Sequence, residues 1–187
     1  MKKKKKTRRT YRLPVHENHT WRAAPGCNIF VADRGAVKFE YPSGWYVKGD
    51  EDSIKLRDRK PPDDDCVLAI SYMRLVPLDW SRLPLAQLVE EVTNRSRRQI
   101  EAWDDVVVRR QIDMDIAWRQ GRYIDEKHQR RALTRLCLSR RGTVLPLLTM
   151  DFWESELDRF APVWDHVLDS LELDEFIADP LRGPRLM

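Results

Sequence analysis

FEYPSGWYVKGDEDSIKLRD, residues 39–58, alternates apolar and polar side chains and stops at Pro42-Ser43-Gly44. It resumes at Trp45, turns at Gly49 to Asp52, and alternates again through Ile54 and Leu56. A period of two puts one side of a strand against a core and leaves the other wet. Pro-Ser-Gly and the acidic turn are both chain-reversing chemistry. Short turns can join only antiparallel neighbours, because a parallel pair needs a long crossover. The stretch therefore predicts a run of antiparallel strands. It leaves the role of Trp45, binding group or core plug, open.

The same grammar extends outward. Asn28 to Ala32 is a short apolar strand, Asp33-Arg34-Gly35 a turn, and Val37, Phe39 and Tyr41 alternate with Lys38 and Glu40. Pro61 to Asp65 forms a rigid acidic loop before a strong strand from Cys66 to Leu75. The period then changes. Leu85, Leu88, Val89, Val92 and Ile100 predict a helix over about 84–101. Strands follow over 106–112, 116–124, 132–139 and 144–150, with Arg140-Arg141-Gly142 as a hairpin turn. Leu157, Phe160, Val163, Trp164, Val167, Leu168 and Leu171 form one apolar stripe of a second helix. Pro162 either kinks that helix or marks its start near Ala161. The fold class is α+β: a mostly antiparallel sheet flanked by two amphipathic helices. The expected organisation is a basic, largely disordered arm over 1–26, a single domain over 27–173, and a loose tail over 174–187.

The chain has 187 residues and a net charge of +4, which hides a split. Residues 1–13 carry Lys2, Lys3, Lys4, Lys5, Lys6, Arg8, Arg9 and Arg12 and no acid, leaving 26 basic and 30 acidic residues elsewhere. A basic arm on a slightly acidic body is a different object from a basic domain. No apolar run follows the arm as a secretory signal requires, and no stretch approaches 18 apolar residues. Three widely spaced cysteines, none in a CxxC pair, read as reduced thiols of a cytoplasmic protein.

The segments FEYPSGW, LPLAQLVEEV and LLTMDFWESELDRFAPVWDHVLDSLEL, within roughly Asn28 to Leu173, carry a family resemblance. The chain resembles the PsbP-like superfamily of α/β/α sandwiches. Its members include the PsbP extrinsic photosystem subunit, a Ran-binding nuclear import factor, envelope lipoproteins and Eag-type secretion chaperones. The resemblance implies core packing for Trp45 and a protein or peptide partner held on an exposed sheet or edge. The basic arm and the tryptophan-rich front lie outside the pattern.

Candidate chemistry is sparse. His16 and His19 fall one residue short of the HExxH spacing and sit beside Pro14 in a polar segment. Asp63, Asp64 and Asp65 lack the spaced ligands of a calcium loop. Asp113 and Asp115 fall on the wet side of a strand. Cys137 lies mid-strand, with no turn to expose it to His128. No catalytic, metal or cofactor site is expected. Residues 95–141 hold 13 basic and 7 acidic residues, whereas 142–187 hold 3 and 10. Trp118, Arg119, Arg122 and Tyr123 interleave rings and guanidinium groups, a composition that stacks bases or clamps phosphates, or equally pairs with acidic residues inside the fold. The leading expectation is a non-enzymatic protein- or peptide-binding adaptor. A second is a binder of RNA, DNA or another anionic polymer through residues 2–12 and the arginine-rich strands. A metal-assisted hydrolase is the weakest.

Overall fold

The computed structural model describes residues 15–50, 53–96, 98–111 and 113–184. The basic residues expected to form an anionic-polymer arm, Lys2 to Arg12, lie outside this set.

Strands β1 (Cys27–Ala32) and β2 (Val37–Pro42) form a hairpin, followed by β3 (Tyr46–Gly49), β4 (Ile54–Arg57) and β5 (Cys66–Arg74). Helix α1 (Leu85–Asn94) leads to β6 (Ala102–Trp103), β7 (Val107–Gln111), β8 (Met114–Asp125), β9 (Arg130–Arg140) and β10 (Val144–Trp153). Helix α2 (Leu157–Asp169) and β11 (Glu172–Leu173) end the order. A small sheet runs β1-β2-β11, and an eight-stranded sheet runs β3-β4-β5-β10-β9-β8, with β6 and β7 both pairing β8. Every pairing between these strands is antiparallel, as turn-joined strands require.

Alternation decides what each face of the large sheet meets. Leu56, Leu68, Ile70, Leu148, Met150 and Cys137 point to one side, into a core shared with Phe30, Val37 and Phe39 of the small sheet and Phe160, Trp164 and Leu168 of α2. Trp45 belongs here: it is 6% exposed, and its ring meets Phe160 edge-on at 6.3 Å. Its role is packing. The opposite side carries a thinner cluster, in which Leu85 and Val89 of α1 sit on Ala117 and Leu138, with Leu136, Leu145 and Leu147 half-buried around them.

The structure refines or departs from the sequence reading at several places. Helix α1 stops at Asn94, not near 101. Thr93 donates its hydroxyl to the Val89 and Glu90 carbonyls, and the chain then leaves the helix to lay Ile100 and Trp103 against Gly121. A Cβ on Gly121 would lie 2.7 Å from the Trp103 ring, so only glycine permits that approach. Helix α2 runs through Pro162 from Leu157. Pro162 and Asp158 are both exposed, so the Asp158 carbonyl that loses its helical N–H partner faces water.

Asp113 sits in the turn before β8 rather than on the strand with Asp115. The stretch read as a loose tail is docked over residues 174–184. Asp174, Glu175 and Ile177 donate N–H groups to the carbonyls of Ala36, Gly35 and Arg34, and Ile177 is 2% exposed. Gly35, at φ 102°, brings its backbone against the Glu175 carbonyl where no Cβ fits. The N-terminal stretch is tied to the same region. Trp21 donates its indole N–H to the Pro180 carbonyl at 2.9 Å, and His16 donates its backbone N–H to Leu181.

Candidate functional site

The aromatic–arginine group read from the sequence is divided by its own strand. Trp118 faces the main core, edge-on to Trp164 at 5.8 Å. Arg119 points to the α1 side, donating to the Asp104 carbonyl and the Thr93 hydroxyl and stacking on Trp103 at 4.9 Å. Arg122 returns to the other side with Asp104 and Glu154, 3.5 and 3.9 Å away. Tyr123 lies again on the α1 side, under Arg98 at 5.0 Å. The structure does not bring the four together on one surface.

The central arginines find the C-terminal acids instead. Arg109 pairs with Asp165 and Asp169, Arg141 with Glu175, and Arg131 with Glu154. Arg98 grips Asp151 through two guanidinium nitrogens. The charge split between 95–141 and 142–187 is thus largely an internal complementarity, in which exposed pairs each contribute little.

The other sequence candidates resolve into structure. Asp64 and Asp65 pair with Arg57 and Arg59. The nearby Asp58 is buried, accepting N–H bonds from Asp65 and Cys66 at 2.9 and 3.0 Å and a contact from Arg159 of α2. Asp115 pairs with Arg140, and Asp113 lies 3.9 Å from Arg141. Cys137 is fully buried and burial raises its pKa, while His128 sits in the β8–β9 turn beside Asp125. The turn and the strand from Arg130 to Cys137, seven steps or about 24 Å, separate the two. His16 and His19 form a backbone-bonded turn.

Among the described residues, one flank of the large sheet carries no helix. Register puts Tyr46 and Lys48 of β3, Lys55 and Arg57 of β4, and Val67, Ala69, Ser71 and Met73 of β5 on the α1 side of the large sheet. Helix α1 packs over β8 and β9, and does not extend to these strands. Small side chains occupy the middle of this flank. Met73 is 58% exposed, and Val76 and Leu78 in the connection to α1 are 59% and 67% exposed. Lys55 and Arg57 at the other border keep local partners in Asp50 and Asp64.

Two groupings escaped sequence reasoning. Arg135, 6% exposed, donates to Gln120 and lies over Trp118, Phe152 and Trp164 at 5.3–6.0 Å, so that aromatic faces carry a buried cation. Burial lowers its pKa. Among the described residues, one set of metal-ligating side chains converges: Cys27, Glu40 and His166. Burial, and then the Glu40 charge, raise the Cys27 pKa, so this thiol is not an activated nucleophile by itself. Its members lie up to 139 residues apart, and no spacing rule joins them.

Residues 28–177 match the Alr1449 family. The chain belongs to the Alr1449 family. An Alr1449-family relative, the uncharacterised protein alr1449 of Nostoc sp. (strain PCC 7120), is 36% identical over 172 residues, covering 91% of this chain and 90% of its own. The family match ends at the buried Ile177 and begins beyond the basic arm.

Solved structures share the fold of this Alr1449 chain at low identity. The solution structure of cyanobacterial PsbP (CyanoP) from Synechocystis sp. PCC 6803 has a TM-score of 0.57 at 14% identity, covering 81% of this chain and 95% of that one. The Saccharomyces cerevisiae Ran-binding protein Mog1p has a TM-score of 0.50 at 10% identity, with 79% and 95% covered. The architecture is PsbP-like, as the sequence segments implied.

Proposed function

We propose that this Alr1449-family chain is a non-enzymatic binding module that holds a protein partner on the open flank of its large sheet. The observation that carries the reading is the contrast along one sheet face. Helix α1 covers one half, while Met73, Val76 and Leu78 stand more than half exposed beside the other. Exposed apolar side chains this close along the chain are where an interaction surface is sought. Lys48, exposed at the border of the flank, favours a partner segment that joins apolar side chains to an acidic one, whereas Lys55 and Arg57 are held by Asp50 and Asp64. Cys137 is buried, and Asp64, Asp65, Asp113, Asp115 and His128 each have a charged neighbour, which supports binding over catalysis. The same fold serves a Ran-binding protein in yeast.

The experiment identifies partners of the full chain in its native host by crosslinking, then measures their retention on purified variants. Met73→Glu and Leu78→Glu together are expected to reduce affinity at least about tenfold, the scale of losing an interface anchor. Deleting residues 2–12 is expected to leave it intact. If the deletion removes binding, the retained material is RNA or DNA, and the flank substitutions are silent, the anionic-polymer reading replaces this one.

A further inference from the structure

We propose that Cys27, Glu40 and His166 form a zinc site, a reading independent of the partner-binding flank. The three arrive from separate elements. Cys27 opens β1, Glu40 lies on β2, and His166 occupies the last turn of α2. Cys27 Sγ is 3.5 Å from His166 Nε2, Glu40 Oε2 is 3.0 Å from the same nitrogen, and all three atoms lie within 4.8 Å of one another. With Zn–S near 2.3 Å, Zn–N near 2.05 Å and Zn–O near 2.1 Å, tetrahedral angles separate sulfur from nitrogen by about 3.5 Å and nitrogen from oxygen by about 3.4 Å. The sulfur–nitrogen distance already fits, and the nitrogen–oxygen distance needs a few tenths of an ångström.

The convergence on one nitrogen separates this cluster from a nucleophile triad. A Cys–His–carboxylate triad uses both ring nitrogens, one to take the thiol proton and one to be oriented by the carboxylate. Here thiol and carboxylate both meet Nε2, so a ring proton directed at Glu40 leaves no base for Cys27. Three ligand atoms around one point are what a cation organises. Thiolate, imidazole and carboxylate together suit Zn²⁺ rather than Mg²⁺ or Ca²⁺, which take oxygen ligands.

Supporting contacts hold the ligands. The Ala24 N–H donates to Glu40 Oε2 at 3.1 Å. The Glu40 N–H donates to Ser170 Oγ at 3.0 Å, and that hydroxyl donates to the His166 carbonyl at 2.7 Å, which clamps β2 to the end of α2. Such outer contacts orient metal ligands. The position near the C-terminus of α2 also favours positive charge. All three side chains are partly exposed, so an ion can enter and the fourth coordination position is open to water.

The test uses the full chain, stripped with chelator, and Zn²⁺ alone. Competition with a chromophoric chelator is expected to show one tight equivalent. Cys27→Ser and His166→Gln are each expected to weaken it at least about 100-fold, beyond the loss typical of outer contacts. Co²⁺ in the same site is expected to give a thiolate charge-transfer band that Cys27→Ser abolishes.

A measurement on the unmutated protein guards against misfolded variants. Cys66 and Cys137 are fully buried, so Cys27 is the thiol that a water-soluble reagent meets first, and one equivalent of Zn²⁺ is expected to protect it. Unprotected Cys27 at saturating Zn²⁺, or uptake unchanged in both variants, overturns the proposal. The crosslinked partner binds or fails to bind irrespective of either result.

Discussion

On the face of the large sheet under α2, Phe160, Trp164, Leu148 and Met150 are at most 1% exposed, and the small sheet closes the layer from beyond. On the opposite face, α1 packs over the β8–β9 half, and Met73, next to the end of β5, is more than half exposed. One sheet therefore has a finished side and an unfinished one. The first supplies most of the apolar burial that folding needs, since that gain scales with the area removed from water. The second leaves apolar side chains exposed among the described residues. Substitutions of similar size on the two sides should diverge accordingly.

The largest effect is expected from Trp164→Ala, which empties space among Trp118, Arg135 and the core of α2 and should destabilise by about 3–5 kcal/mol. Denaturant unfolding measures it. A loss below about 1 kcal/mol would break the contrast. Leu85→Ala under α1 should cost less, about 2 kcal/mol, because the thin cluster can relax and admit water at its rim.

A third prediction concerns pH. Burial, and then the Asp151 carboxylate, push the Tyr123 pKa up to about 12. The folded state thus favours the protonated phenol. The contribution is fully present below the ordinary tyrosine value near 10 and is lost as pH rises from about 10 to about 12. Tyr123→Phe should lose less stability over that window than the unmutated chain, as thermal melts at stepped pH would record. A steeper loss in the variant would contradict it.

The smallest effect on folding is expected from Met73→Glu on the open flank, within about 0.5 kcal/mol. Its effect should fall on partner retention. A large loss of stability there would mean that the flank is part of the core.

The two faces of the strands were legible in the sequence, because a period of two is visible without coordinates, whereas the uncovered half was not. Leu68 and Ile70 had to share a side, and so did Leu148 and Met150. The apolar stripe through Phe160, Trp164, Val167 and Leu168 likewise identified the helix that covers them. What stayed hidden depends on contacts between distant segments. Residues 174–184 read as loose because their composition is polar and proline-rich, yet backbone bonds to Arg34, Gly35 and Ala36 dock them. The Trp118–Tyr123 group read as one surface because its residues are consecutive, although strand alternation turns neighbours to opposite sides. Asp58, Arg135 and the Cys27–Glu40–His166 cluster carry no local signal, since their partners lie up to 139 residues away.

Methionine oxidation offers the most direct test of the two-sided sheet. Dilute peroxide with peptide-resolved mass spectrometry compares Met73 on the open flank with Met150 and Met114, which are at most 5% exposed. The account predicts that Met73 oxidises rapidly, that Met114 and Met150 oxidise only as the protein unfolds, and that a bound partner slows Met73 alone. Equal rates at Met73 and Met150, or a partner that leaves Met73 unprotected, would contradict it.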